Sequence, residues 1–95
     1  MPAYVILEVT VTDPTGYAEY RKLSGSSLAA YGGKFIVRGG AYETLEGDWN
    51  PGRLVIAEFE SVAQAKRWYD SPEYATARKI RERTANTKLL IVEGV

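Results

Sequence analysis

Lys34-Phe35-Ile36-Val37-Arg38 and Arg53-Leu54-Val55-Ile56-Ala57-Glu58-Phe59-Glu60 are the two runs that decide the fold. Between them lie Gly39-Gly40 and the turn-forming string Gly47-Asp48-Trp49-Asn50-Pro51-Gly52. Both runs alternate and carry the β-branched and aromatic residues that suit a half-buried pleated surface. No helical segment separates them, so they pair as a β-hairpin. Alternation puts Phe35 and Val37 on one face of the first run, and Lys34, Ile36 and Arg38 on the other. In the second run the faces are Val55, Ala57, Phe59 and Leu54, Ile56, Glu58. Gly39-Gly40 sits inside a stretch that reads as strand through Leu45, which predicts a bulge there.

The flanks complete the pattern. Upstream, Ala3, Val5, Leu7, Val9 and Val11 make a wholly apolar strand face, and Tyr4, Ile6, Glu8, Thr10 and Thr12 a mixed one. Asp13-Pro14 reads as a helix start, with a carboxylate for the orphan amides and a proline that has no N–H to lose. Tyr17, Tyr20, Leu23 and Leu28 give that helix an apolar side, and Gly32-Gly33 ends it. The poor helix formers Ser24-Gly25-Ser26-Ser27 predict a kink or a break. Downstream, Ser61-Val62-Ala63-Gln64 matches a capping box, Ser71-Pro72-Glu73 opens a further helix to about Thr84, and Lys88 to Val92 reads as a last strand. There are no repeats and no linker, so one domain spans 1–95.

The order β-α-β-β-α(α)-β is the split βαβ arrangement of a ferredoxin-like α+β fold. It predicts a four-stranded antiparallel sheet, order 4-1-3-2, with the helices on one face. The other face then carries Tyr4, Ile6, Ile36, Leu54 and Ile56 uncovered. So much exposed apolar surface calls for association, and a two-fold homodimer packed through this open face is the simplest solution.

Composition limits the chemistry. The chain has 95 residues, twelve Lys plus Arg against twelve Asp plus Glu, and neither His nor Cys. Disulfides, thiolate nucleophiles, imidazole bases and zinc knuckles are excluded. Zero net charge argues against nucleic acid or an anionic membrane as a partner. The basic run at Arg78, Lys79, Arg81 and Arg83 is interleaved with acids and reads as a solvated face. No stretch approaches the ~18 apolar residues of a membrane span, and the N-terminal residues lack the basic start of a signal peptide. A cytoplasmic protein is the expectation.

Four further blocks carry a family resemblance: Ala29-Ala30-Tyr31-Gly32-Gly33-Lys34-Phe35-Ile36-Val37-Arg38-Gly39-Gly40, then Leu45-Glu46-Gly47-Asp48-Trp49, then Glu58-Phe59 with Ser61, then Trp68-Tyr69-Asp70-Ser71-Pro72-Glu73-Tyr74. Together they resemble the bacterial family termed domain of unknown function 1330, over essentially the whole chain. The resemblance implies a dimeric α+β barrel, in which two ferredoxin-like units pack sheet to sheet. That superfamily includes cofactor-free monooxygenases, muconolactone isomerases, dye-decolourising peroxidases and chlorite dismutases. The family itself implies no particular reaction. Ser24-Gly25 departs from relatives that carry prolines near this point.

Candidate site residues follow from the mixed face. With the first and third strands taken as parallel neighbours, Glu8 and Glu58 fall at similar depth on the face away from the helices, and Arg38 projects from the same face. Two carboxylates beside a guanidinium would make a general acid or base without histidine, with Arg38 as oxyanion partner. An ion-pair network at the dimer rim is the alternative. Trp49 at the hairpin tip docks on its own domain, packs on a partner or lids a ligand. Trp68 and Tyr69 pack a helix corner or wall a pocket with Tyr17 and Tyr20, and Tyr4 is a further apolar wall. A metal site is not expected beyond a weak hard-cation set of Glu8, Glu58 and Asp48, and no cofactor is expected. Two functional classes stay open: a small-molecule pocket protein of the cofactor-free monooxygenase or isomerase type, acting on an aromatic or enolisable carbonyl compound, and a non-catalytic homodimeric binding or assembly module.

Overall fold

The computed structural model of the chain describes residues 1–95. Its elements run β1 (Ala3–Val11), α1 (Pro14–Ala30), β2 (Lys34–Arg38), β3 (Arg53–Phe59), α2 (Val62–Tyr69), α3 (Pro72–Thr84) and β4 (Ala85–Glu93). The strands form one sheet in the order β2-β3-β1-β4, and all its pairs are antiparallel. This is the α+β ferredoxin-like arrangement. No helix is long and apolar enough to cross a membrane.

Each helix starts where its capping residues stand. Asp13 accepts from the Gly16 amide at 3.2 Å with Pro14 at the first helical position. Ser61 accepts from Gln64 N–H and Ser71 from Tyr74 N–H, both at 3.1 Å. Gly32, at φ 76°, supplies the left-handed step that turns the chain from α1 into β2.

The predicted break in α1 does not occur, and the helix is continuous from Pro14 to Ala30. The serines bond back along the helix, Ser27 Oγ to the Ser24 carbonyl at 2.9 Å and Ser26 Oγ to Lys22 at 3.2 Å. Ser27 Oγ also receives the Trp68 indole N–H at 3.1 Å. Ser24 and Ser27 are buried, so their small size suits a tight tertiary contact that overrides weak propensity.

The hairpin also differs from its sequence expectation. Strand β2 ends at Arg38, and residues 39–52 form an irregular loop rather than a strand through Leu45. The bulge lies earlier. Phe35 pairs with Ala57, yet Val37 pairs with Ile56 and Arg38 with Val55, so Ile36 is the extra residue. Every side chain beyond it changes face.

The core fills the space between the sheet and the helices. Val5, Leu7, Val9, Val55, Ala57 and Phe59 point at Tyr17, Tyr20, Leu28, Trp68 and Tyr74. Trp68 lies between Phe59 and Tyr74, with ring centroids 5.6 and 4.1 Å away. The Tyr20 and Tyr74 hydroxyls meet at 2.9 Å, so these two phenols are buried as a hydrogen-bonded pair. The opposite sheet face is uncovered, with Ile36, Leu90 and Val92 about half exposed.

Candidate functional site

Three of the residues expected to form one acidic constellation lie in three places. Strands β1 and β3 are antiparallel, not parallel: Glu8 pairs with Leu54, and Glu58 with Tyr4. Four residues of strand, roughly 13 Å, therefore separate the carboxylates along the sheet. Glu58 instead pairs with Lys34 at 3.3 Å across β2 and β3. Glu8 accepts the Trp49 indole N–H at 3.0 Å, with Lys88 opposite it on β4. Trp49 thus docks on its own open sheet face while keeping much of its ring exposed. Tyr4 is half-buried on that same face, opposite Glu58 and Val92. No three His, Cys, Asp or Glu side chains come together as a metal site.

Arg38 is on the other side of the sheet. The extra residue at Ile36 turns it toward the helices, opposite Val55. There it stacks on the Phe35 ring, its guanidinium carbon 4.1 Å from the centroid, and donates through Nη2 to the Arg21 carbonyl at 2.8 Å. This contact ties β2 to α1 at the mouth of a recess between the helix and the sheet.

The recess is mostly apolar. Val5, Leu7, Val55 and Ala57 form its floor, with Tyr17, Tyr20, Leu28, Phe35 and Trp68 around it. Its cavity volume is about 30 Å³, above the ~10–15 Å³ that one water needs, and it opens to solvent on one side. Trp68, expected either to pack or to wall a pocket, does both, together with Tyr17 and Tyr20. Tyr69 lies outside the recess, half-buried under the Arg78 guanidinium at 4.8 Å from the ring centroid.

The polar lining is Arg21, Ser24, Arg38 and Arg53 with the two phenols, and no carboxylate. Arg53 reaches inward across Gly39, where a Cβ would collide with its guanidinium, and its Nε is buried with no hydrogen-bond partner. Burial lowers the Arg38 pKa, and the neighbouring Arg21 and Arg53 charges lower it further. Burial and Tyr20 push the Tyr17 phenol up, against an opposing pull from Arg53 and Arg21. Tyr17 is therefore a neutral hydrogen-bond donor at neutral pH.

Arg21 and Arg53 were recoverable from spacing alone. Arg21 lies on the stripe Tyr17, Tyr20, Ser24, Leu28 at helical intervals, and Arg53 is in phase with Val55, Ala57 and Phe59. A guanidinium on an apolar stripe is the signal. Arg38 has no such signal, because its side depends on the bulge.

The family model for domain of unknown function DUF1330 matches residues 2–95. This chain belongs to the DUF1330 family. No curated protein matches the DUF1330 chain. Among solved structures it is similar to the RPA0582 protein of unknown function from Rhodopseudomonas palustris, with a TM-score of 0.80 and 25% identity over 99% of this chain and 82% of that one. It is also similar to SnoaB, a cofactor-independent oxygenase from Streptomyces nogalater (TM-score 0.68, 11% identity, 99% and 93% of the two chains). A third is a dimeric ferredoxin-like protein of unknown function from Thermobifida fusca (TM-score 0.64, 18% identity, 97% and 90%). Similarity at 11% and 18% identity speaks to the fold alone.

Proposed function

We propose that the DUF1330 chain is a small-molecule-binding protein whose ligand enters the recess between α1 and the sheet, and that it works as a homodimer joined through the open sheet face. The observation that carries this is the recess itself. It is an apolar chamber walled by aromatic rings, with a few convergent polar groups at one end, which is how small-molecule sites are built. Arg38 is exposed at the mouth and held by one hydrogen bond and one ring stack, so it can swing to admit a ligand larger than the present cavity.

The residues also fit the cofactor-free type of enzyme represented among the fold neighbours by SnoaB. A phenol or an enolisable carbonyl compound in the recess would place its oxygen near the Tyr17 hydroxyl and the guanidinium groups. Fixed donors in a site of low polarity stabilise an oxyanion, which eases transfer of the substrate proton to water at the open mouth. Glu8 and Glu58, on the other face, have no part in this reading. The homodimer rests on the exposed Ile36, Leu90 and Val92, and on neighbours of the same fold that are described as dimeric.

The test is a thermal-shift and Trp fluorescence screen of single-ring phenols and 1,3-dicarbonyl compounds, repeated on Ala57→Phe, which fills the recess floor. A ligand at a hundred times its Kd stabilises by about 2.7 kcal/mol, roughly 10 °C or more in a domain of this size. Binding lost in Ala57→Phe is the expected result. A hit that binds Ala57→Phe equally well, or a screen without hits, would dispose of the recess as a site.

A further inference from the structure

Three guanidinium groups line one end of the recess, and nothing in the chain neutralises them. Arg21 comes from α1, Arg38 from the end of β2 and Arg53 from the start of β3. No Asp or Glu lines the recess with them. The chain's two ion pairs, Lys34 with Glu58 and Arg78 with Glu82, lie elsewhere. Charges of one sign brought together beside an apolar chamber repel one another, an arrangement that an anion relieves. The backbone is shaped to permit it: Gly39, in the left-handed region at φ 71°, leaves room for Arg53 to lie across the chain. The Arg53 Nε, buried and unpartnered, is a donor waiting for an acceptor.

From this we infer that the ligand of the recess carries a carboxylate, held by Arg21, Arg38 and Arg53 at the mouth, with its apolar body on Val55, Ala57 and Trp68. The inference rests on the recess being a binding site and adds the chemical class of its occupant. Guanidinium suits a carboxylate because two parallel N–H groups match its two oxygens. A free Arg53 Nε–H supplies one such edge, and Arg38, whose guanidinium lies over the Phe35 ring at the mouth, supplies another.

The experiment compares benzoate, phenylacetate and 3-phenylpropionate with their neutral amides, titrated into the whole chain with Trp fluorescence as readout. At least one acid should bind ten-fold or more tightly than its amide, and the preference should shrink between 0.05 and 0.5 M salt. Arg38→Gln, at an exposed position, should cut that preference at least five-fold at an unchanged melting temperature. Arg53→Gln should do the same, and Arg38→Gln decides the matter alone if Arg53→Gln does not fold. Acids and amides binding alike, a preference intact in Arg38→Gln, or amides alone binding would each overturn the carboxylate while leaving the recess as a site. If no acid or amide binds, and the phenol and dicarbonyl screen is also empty, both readings fall together.

Discussion

Tyr74 shows how much one buried side chain contributes to the behaviour of the whole. Its ring is fully buried, and its hydroxyl has the Tyr20 hydroxyl as partner. Burial, with Tyr20 adding to it, pushes the Tyr74 phenol well above its ordinary value of 10.0. Below pH 10 the folded and unfolded chains both keep the proton, and the contribution is fully present. Above pH 10 the unfolded chain ionises there and the folded chain does not, so stability falls by up to about 1.4 kcal/mol per pH unit. Tyr74→Phe should therefore flatten the decline of urea midpoints measured between pH 9 and 11, after a cost of about 1 kcal/mol at pH 7 for the lost hydroxyl pair. An unchanged alkaline slope would show that other groups set it. The same tyrosine packs against Trp68 from the core side, so its neutrality also keeps the aromatic cluster behind the recess uncharged.

At the scale of elements, the caps and the faces of β1 and β3 were legible, and the sidedness of β2 beyond its bulge was not. Asp13-Pro14, Ser61 with Gln64, and Ser71-Pro72 each act locally, through a side chain reaching its own backbone, and such signals do not depend on the rest of the molecule. Ser71 goes further, donating to the Trp68 carbonyl at 2.7 Å while capping α3, and so clamps the end of α2 to the start of α3. Ser71→Ala should lower stability by about 1–2 kcal/mol, read as a shift in denaturant midpoint. A change under 0.3 kcal/mol would mean water replaces the hydroxyl. The unbroken α1 could not be read locally, because its serines are accommodated by Trp68, forty-one residues away. The placement of Glu8 against Glu58 was legible in the antiparallel sheet that the element order predicts; taking β1 and β3 as parallel overlooked it. The bulge at Ile36 has no local mark, since a β-branched residue fits a regular strand equally well.

Across the whole molecule, the principal extents of 35 × 33 × 16 Å describe a slab: one layer of helices on one sheet. Only 22 of 95 residues are buried, which leaves a small core to hold the sheet flat against its helices. A second copy on the open face would bury Ile36, Leu90, Val92 and the exposed side of Trp49. Leu90→Lys should then yield a monomer in analytical ultracentrifugation, with its helical circular dichroism retained and its melting temperature lowered. A Leu90→Lys protein that still sediments as the dimer would move the interface away from this face.

The inserted residue in β2 can also be seen as a parity switch. Before Ile36, odd-numbered side chains of that strand look toward the helices; after it, even-numbered ones do. Whether the arginine at position 38 serves the recess or the outer surface is thus decided by the pairing of the residue two before it, not by its own identity. Were Ile36 paired in a regular ladder, Arg38 would fall opposite Leu54 and face away from the helices. In this strand, one bulge separates a charged interior from a charged exterior.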